Sequence, residues 1–104
     1  MNNIVYKNFD AASLDAAYDN RRHVPECEEI FLDWENRSRD YRKHSNNRLD
    51  VAYGNNKLET MDIFLPDSPS GGIHAFIHGG YWRSLDKADF SYLCKPLVDE
   101  GHIT

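Results

Sequence analysis

The chain has 104 residues, of which 40% are hydrophobic and 28% charged, with a net charge of −5. This length suits one small domain with a modest core, and the composition is that of an ordinary soluble protein. No stretch collects lysine and arginine without acidic residues among them, which argues against nucleic acid and anionic membranes as partners. No apolar run approaches the roughly 20 residues that span a bilayer.

The cysteines and the N-terminal residues indicate the cellular compartment of the protein. Cys27 and Cys94 lie far apart and outside any Cys-x-x-Cys pattern. We expect two reduced thiols, and a single long-range disulfide is the alternative. The first ten residues, MNNIVYKNFD, have no basic stretch followed by an apolar core, so no secretory signal is predicted. A cytoplasmic location is therefore expected.

The first predicted element is a helix over about residues 26–44. Residues 1–25 are polar and mixed, and the segment NRRHVPE, residues 20–26, is predicted to be irregular up to Pro25. The apolar residues that follow have the spacing of one helix face: Ile30, Phe31, Trp34 and Tyr41. Acidic residues lead and basic residues trail, as the helix dipole favours. The run ENRSRDYRK is therefore predicted to be a solvated helix face and not a binding tract.

A β-hairpin is predicted next, because the apolar period changes to two after residue 47. RLDVAYG and LETMDIFLP both alternate apolar and polar residues, and Pro66 closes the second run. Between them, Gly54–Asn56 has the composition of a turn. Two alternating runs around such a turn are typical of a hairpin.

The last predicted elements are a strand, a helix and the beginning of another strand. Ile73–His78 is a nearly continuous apolar run, as in strands covered on both faces. A helix is predicted over about residues 86–100, with Asp86 as its N-cap, Pro96 as a break and Gly101 as its C-terminal cap. The final residues, HIT, begin a further strand. We interpret this as a βαβ unit without its second strand, in the N-terminal piece of a larger α/β protein. The alternative, a complete small domain, requires another use for the last segment.

The turn after the apolar run carries the strongest functional signal. His78 is followed by Gly79 and Gly80 and then by two large aromatic residues, Tyr81 and Trp82. A turn between a buried strand and a helix presents backbone N–H groups without internal partners, and glycine leaves no Cβ to obstruct a ligand. Such a turn can direct two N–H donors at an oxyanion. The alternative is a tight turn only, but the exposed aromatics are better explained as the walls of a pocket.

The string HGGYW after an apolar strand resembles the oxyanion loop of α/β-hydrolases. It is close to the branch of arylformamidases (kynurenine formamidases) and hormone-sensitive-lipase-like esterases. VAYGNNKLETMDIFLP is similar to the first hairpin of that branch, and LDKADFSYLCKPLVDEGHIT to its first crossover helix and the start of its fourth strand. NRRHVPE with the following helix is similar to the N-terminal extension of some bacterial members. The resemblance implies the N-terminal part of an α/β-hydrolase fold, with residues 1–47 as an extension and residues 48–104 as a truncated start of the hydrolase domain.

The resemblance also implies roles for individual residues. The oxyanion donors would be the backbone N–H groups of Gly80 and Tyr81, with Gly79 shaping the turn. His78 would brace the loop through side-chain hydrogen bonds, or else be an ordinary histidine at a strand end. Tyr81 and Trp82 would line the substrate pocket. No metal or organic cofactor is implied, and a zinc site at the two histidines of HAFIH is not expected because no third ligand is in view.

The catalytic triad is not found in the sequence. None of the seven serines has glycine at both −2 and +2, as the Gly-x-Ser-x-Gly motif requires, and the acid and histidine would follow that serine in the chain. A local substitute of His78, Ser84 and Asp86 is rejected, since all three lie on one loop and helix start without separate rigid elements.

The sequence therefore predicts the N-terminal portion of a serine hydrolase that supplies the oxyanion loop and is inactive alone. The substrate of the full-length protein would be a small-molecule carboxylic ester or aryl formamide. Two alternatives stay open: a small non-catalytic α/β module that binds an anion or a partner's carboxylate, and an inactive gene fragment. The sequence does not indicate an oligomeric state.

Overall fold

A computed structural model describes residues 3–81 and 83–104 of the chain. The described residues form two compact units, one ending at Ile30 and the other comprising Phe31–Thr104. Helices and strands are mixed along the chain, in agreement with the expected α/β class. In these two ranges, no helix has both the length and the apolar character needed to cross a membrane.

The first unit contains more regular structure than its polar sequence suggests. Its elements are two short antiparallel strands and two helices: β1 (Ile4–Tyr6), β2 (Phe9–Asp10), α1 (Ala11–Tyr18) and α2 (Asn20–His23). The Asp10 carboxylate caps α1 by accepting the Ser13 N–H at 2.8 Å, and the Asp19 carboxylate caps α2 by accepting the Arg22 N–H at 3.2 Å. The prediction that residues 20–26 are irregular is therefore wrong, because α2 occupies the first four of them.

Helix α3 (Cys27–His44) agrees with the predicted helix over about residues 26–44. Its basic last turn complements the helix dipole, as expected. Ser38 lies within the charged run but on the apolar face, between Trp34 and Tyr41, and its side chain is fully buried. From the same helix, Tyr41 stacks on Phe64 with the ring centroids 5.2 Å apart, and Trp34 packs against Phe90 at 5.6 Å.

The predicted hairpin is present as the antiparallel pair β3 (Asn47–Ala52) and β4 (Thr60–Phe64). Phe64 is only 2% exposed and forms the centre of the small core. The pairing is irregular between Arg48 and Val51, where Asp50 has a φ of +55°. Alternation of apolar residues predicted the strands but not this irregularity, which depends on a contact across the hairpin.

Ile103 and Thr104 form the beginning of a further strand beside β4. Thr104 exchanges two backbone hydrogen bonds with Phe64, of 2.7 and 3.0 Å, which is the pattern of an antiparallel pair. Ile103 forms a parallel bridge with Ile73: the His74 N–H donates to the Ile103 carbonyl at 2.8 Å, and the Ile103 N–H donates to the Gly72 carbonyl at 3.2 Å. Residues 103–104 thus lie between β4 and Ile73.

The predicted central strand Ile73–His78 differs most from the structure. Only Ile73 is bridged, and Ile73 and Ile77 are 82% and 91% exposed rather than buried. A parallel strand needs neighbours on its edges and helices over its faces. Among residues 3–81 and 83–104, only Ile103 offers this segment a strand partner.

The predicted crossover helix is broken into shorter pieces. Two 3-10 turns, Lys87–Asp89 and Ser91–Cys94, precede α4 (Lys95–Asp99), which has Pro96 in its first turn. The prediction of Asp86 as an N-cap is confirmed, since its carboxylate accepts the Ala88 N–H at 2.9 Å. Proline is tolerated in a first turn because the N–H groups there have no acceptor within the helix. Helix α4 therefore begins at Lys95, directly before Pro96.

Candidate oxyanion site

The candidate site is the tight turn that follows the exposed apolar segment. The Gly80 carbonyl accepts the N–H groups of Arg83 at 3.0 Å and Ser84 at 3.2 Å, which closes the turn. Gly80 has a φ of +126°, and a Cβ added there would lie 2.0 Å from the Ser84 carbonyl oxygen. Among the described residues, no atom lies within 4 Å of a Cβ added at Gly79. Glycine is therefore required at position 80 and not, on steric grounds, at position 79.

Hydrogen bonds to two carbonyls orient the peptide groups of this loop. The His78 Nδ1 lies 2.7 Å from the Gly79 carbonyl oxygen, and the Gly80 carbonyl points into the turn. In a trans peptide the N–H points opposite to the C=O. The N–H of Gly80 is therefore directed away from the His78 ring, and the N–H of Tyr81 away from the turn. In the described ranges, the Gly80 N–H donates no hydrogen bond.

His78 is held in place on two sides. Because a carbonyl only accepts, the hydrogen bond to the Gly79 carbonyl requires the proton on Nδ1. The imidazole also stacks on Phe90, with the ring centroids 5.6 Å apart and the planes 9° from parallel. These contacts fix the His78 ring relative to the loop, and a bracing role for this residue stays a prediction.

Tyr81 and Trp82 are the two residues predicted to line a pocket. The Tyr81 side chain is 77% exposed, and its backbone has a φ of +54°. Trp82 lies outside the described residues. A pocket-lining role for both residues therefore stays a prediction.

The structure does not assemble a triad from His78, Ser84 and Asp86. The His78 Nδ1 faces the Gly79 carbonyl, and the Asp86 carboxylate accepts the Ala88 N–H in its cap. The histidine and the acid thus bond to the main chain instead of to each other. Within the described parts of the chain, no group of three or more His, Cys, Asp or Glu side chains is arranged to hold a metal ion.

A cluster of charged residues anchors the segment that follows the loop to the hairpin. The Lys87 ammonium lies 2.6 Å from Asp50 Oδ1 and 2.6 Å from Asp62 Oδ1, and the Asp62 side chain is only 7% exposed. Asp62 also accepts the Asp50 N–H at 2.9 Å, at the irregular point of β3. Burial lowers the pKa of Lys87, but its hydrogen bonds to the two carboxylates outweigh burial, so the pKa is raised.

A second anchor joins the same segment to α3. The Arg42 guanidinium donates to the Ala88 carbonyl and, at 2.8 Å, to Ser91 Oγ, while Ser38 Oγ accepts the Tyr92 N–H at 3.3 Å. Sequence reasoning found neither anchor. The partners lie tens of residues apart, and the only available signal was that Ser38 falls on the apolar face of α3.

The chain resembles a solved structure of hydrolase type. Over 86% of its length, the chain matches a candidate thioesterase from Silicibacter sp. TM1040, with a TM-score of 0.77 and 31% sequence identity. The matched part is 35% of that protein. This likeness confirms the α/β fold class.

Curated relatives make the resemblance more specific. The chain is 40% identical over 57 residues to a kynurenine formamidase of Danio rerio and 34% identical over 55 residues to one of Salmo salar. These stretches cover 53% and 51% of the chain, which spans about a fifth of the length of the relatives, 20% and 19%. No family model matches. The resemblance to arylformamidase-like α/β-hydrolases is thus confirmed.

Proposed function

We propose that this chain supplies the oxyanion-binding loop of a serine hydrolase of the carboxylesterase or arylformamidase type. The observation that carries the proposal is the orientation of two consecutive peptide groups. The carbonyls of Gly79 and Gly80 are both hydrogen-bonded, so the N–H groups of Gly80 and Tyr81 are directed by local contacts. The similarity to kynurenine formamidases supports a hydrolytic role for that loop.

The proposed chemistry is nucleophilic attack on a carbonyl carbon. A serine outside this chain forms the new C–O bond while its hydroxyl proton passes to a histidine that also lies outside this chain. The carbonyl electron pair moves to oxygen to give a tetrahedral oxyanion. The N–H groups of Gly80 and Tyr81 donate to that oxygen, together with one N–H from the residue after the serine. Loss of one such donor costs about 3 kcal/mol of transition-state stabilisation. The main-chain donors supply this stabilisation, so the proposal calls for no cofactor.

The substrate, organisation and location are part of the same proposal. The acyl group would come from a small-molecule ester or aryl formamide, with Tyr81 and Trp82 against its apolar part. Residues 1–47 would be an N-terminal extension and residues 48–104 the start of the hydrolase domain, in a cytoplasmic protein. These statements rest on the resemblance and on the composition of the chain.

A chimera tests the function. Residues 48–104 of this chain would replace the corresponding stretch of the Danio rerio kynurenine formamidase, and hydrolysis of an aryl formamide and an aryl ester would be measured. We expect turnover by the chimera and a fall in kcat of about 100-fold or more for Gly80→Ala, because the added Cβ collides with the Ser84 carbonyl and displaces the donors. The ratio of kcat/KM for the two substrates would give the preferred class.

The control variant is Gly79→Ala, whose added Cβ would touch none of the residues that the structure describes. It should keep kcat within a few-fold, and circular dichroism should show that both variants are folded. Equal activity of a folded Gly80→Ala chimera and the parent chimera would overturn the proposal. The 104-residue chain by itself should neither turn over an activated aryl ester nor react with a fluorophosphonate probe.

A further inference from the structure

Phe90 lies at the centre of an aromatic cluster beside the candidate oxyanion loop. Among the described residues, its ring contacts those of Trp34, Phe76 and His78, with centroids 5.6, 5.9 and 5.6 Å away. Trp34 belongs to α3, whereas Phe76 and His78 directly precede the glycines of the loop. The cluster therefore connects the residue at the start of the loop, His78, with a helix that is distant from it in sequence.

The backbone of Phe90 is fixed by the anchors of the 3-10 turn before it. The Phe90 N–H donates to the Lys87 carbonyl at 3.1 Å. The Lys87 ammonium is bound to the hairpin through Asp62, and the Ala88 carbonyl is bound to α3 through Arg42. Because both anchors act on the turn that ends at Phe90, this residue is a fixed support for a side chain that stacks on it.

The contact of Phe90 with His78 differs in geometry from its other two contacts. The planes of the phenyl and imidazole rings are 9° from parallel, whereas Trp34 and Phe76 are inclined to Phe90 by 43° and 51°. The torsion angle about the Cβ–Cγ bond of histidine has broad minima, so packing has to select its value. Rotation about that bond would move one edge of the imidazole toward the phenyl ring. The parallel contact therefore selects the plane of the imidazole.

The plane of the imidazole in turn determines the direction of the peptide group between Gly79 and Gly80. The N–H of an imidazole lies in the ring plane, so the acceptor has to lie close to that plane. The acceptor is the Gly79 carbonyl oxygen, 2.7 Å from His78 Nδ1. In a trans peptide this carbonyl and the Gly80 N–H point in opposite directions. A fixed imidazole plane therefore fixes the direction of the Gly80 N–H.

We propose that Phe90 is a positioning residue for the oxyanion loop: it holds the His78 imidazole in the plane that directs the Gly80 N–H. Phe90 acts through His78 and takes no part in the chemistry. The inference rests on the proposed function of the loop and names the side chain that keeps one of its two donors in place. Its first consequence concerns the proton of the His78 ring, which can be observed without any substrate.

The test measures the tautomer of His78 in the 104-residue chain. Two-bond ¹⁵N–¹H correlation spectra show which imidazole nitrogen carries the proton, and the His78 signals are those that disappear in His78→Gln. At about pH 8, where ordinary imidazoles are neutral, we expect the proton on Nδ1. In Phe90→Leu, which keeps an apolar side chain but loses the flat ring, the ¹⁵N shifts should move to those of a mixture of the two tautomers. A proton on Nε2 in the parent chain would overturn the proposal.

Two control variants separate the stacked ring from the rest of the cluster. Phe90→Tyr keeps the ring and should keep the proton on Nδ1. Phe76→Leu removes another ring that contacts Phe90, but not the one that the His78 imidazole stacks on, and should keep it as well. If circular dichroism shows that Phe90→Leu is unfolded, Phe90→Met replaces it, because methionine fills irregular space. An unchanged tautomer in the folded Phe90 variant, or an equal change in Phe76→Leu, would contradict the role of Phe90.

The kinetic test uses the chimera that carries residues 48–104. Phe90→Leu should lower kcat about tenfold and leave KM within about twofold, because a misdirected donor weakens the transition state more than the bound substrate. Phe76→Leu should leave both constants unchanged. A rise in KM with kcat unchanged would show that Phe90 shapes substrate binding instead, and would overturn the proposal.

Failure of this inference and failure of the proposed function give different results. A chimera whose kcat falls in Gly80→Ala but not in Phe90→Leu would overturn the role of Phe90 and leave the proposed function intact. A chimera that is indifferent to Gly80→Ala would refute the proposed function, and with it this inference, even if the His78 tautomer depends on Phe90.

Discussion

The hairpin β3–β4 and the segment Ile73–His78 are both rich in apolar residues, but they reach opposite environments. Phe64 of the hairpin is 2% exposed and stacks on Tyr41, whereas Ile77 is 91% exposed. The two strands of the hairpin pair with each other and are close in sequence, and the hairpin packs against α3. The apolar segment depends on neighbours that the described chain offers at one residue only.

The conformation of the loop does not depend on strand pairing in the segment before it. The turn at Gly80 is built from contacts within six residues, from the His78 ring to the Ser84 N–H. The next residues are held to the hairpin by Lys87 and to α3 by Arg42. The loop can thus have a defined conformation while the preceding segment lacks strand partners.

The largest expected effect compares one phenylalanine from each region. Phe64→Ala should reduce the free energy of unfolding by about 3–5 kcal/mol, because it leaves a cavity in the core under α3. Phe76→Ala, at a side chain that is 49% exposed, should cost less than about 1.5 kcal/mol. Urea denaturation followed by circular dichroism measures both values, and equal costs would contradict the contrast between the two regions.

The charged anchor at the hairpin gives the next largest effect. Asp62→Asn should destabilise the chain by about 3 kcal/mol, because it leaves the Lys87 ammonium without its buried partner. Asp50→Asn is the matched control: the Asp50 side chain is 74% exposed, and asparagine tolerates its positive φ. Its cost should stay below about 1 kcal/mol. The same denaturation experiment would refute the anchor if the two variants were equally stable.

Alkaline pH should weaken the core by a smaller amount. Burial raises the pKa of the Cys94 thiol from 9.0 to about 11 and that of the Tyr41 phenol from 10.0 to about 12. Because the folded pKa is the higher one, the unfolded chain loses its protons first. The contribution of Cys94 is therefore fully present below pH 9 and is lost as the pH rises to about 11.

Cys94→Ala isolates this effect. For the parent chain, unfolding free energies at intervals from pH 8 to pH 11 should fall by about 2 kcal/mol through the thiol. In Cys94→Ala the free energy of unfolding should change less between pH 9 and pH 10. The decrease in this free energy that Tyr41 causes at higher pH should remain. Parallel curves for the two proteins would show that the thiol titrates alike in the folded and unfolded chains.

Local sequence signals predicted the local parts of the fold. Helical spacing predicted α3, alternation predicted the hairpin, and the acid before the 3-10 turn predicted the cap at Asp86. The caps at Asp10 and Asp19 were equally local, but their short helices lie in a polar stretch without a clear apolar period. They were therefore missed.

The remaining features depend on residues that are distant in sequence. The expected strand at Ile73–His78 has the right composition, but composition does not supply a neighbouring strand. The salt bridges of Lys87 and the hydrogen bonds of Arg42 join residues 25 to 49 positions apart. In the candidate site, the glycines pointed to the turn, but the orientation of its peptide groups required the positions of the His78 ring and the Ser84 N–H.

The orientation of the loop amides can be measured directly by ¹⁵N–¹H correlation spectra of the 104-residue chain during titration with benzoate, a carboxylate that presents oxyanion charge. We predict that the Gly80 and Tyr81 amide signals shift together and saturably, and that Gly79→Ala preserves the shift while Gly80→Ala removes it. A Gly80 amide that is protected from hydrogen exchange in the free chain and does not respond to benzoate would contradict the account.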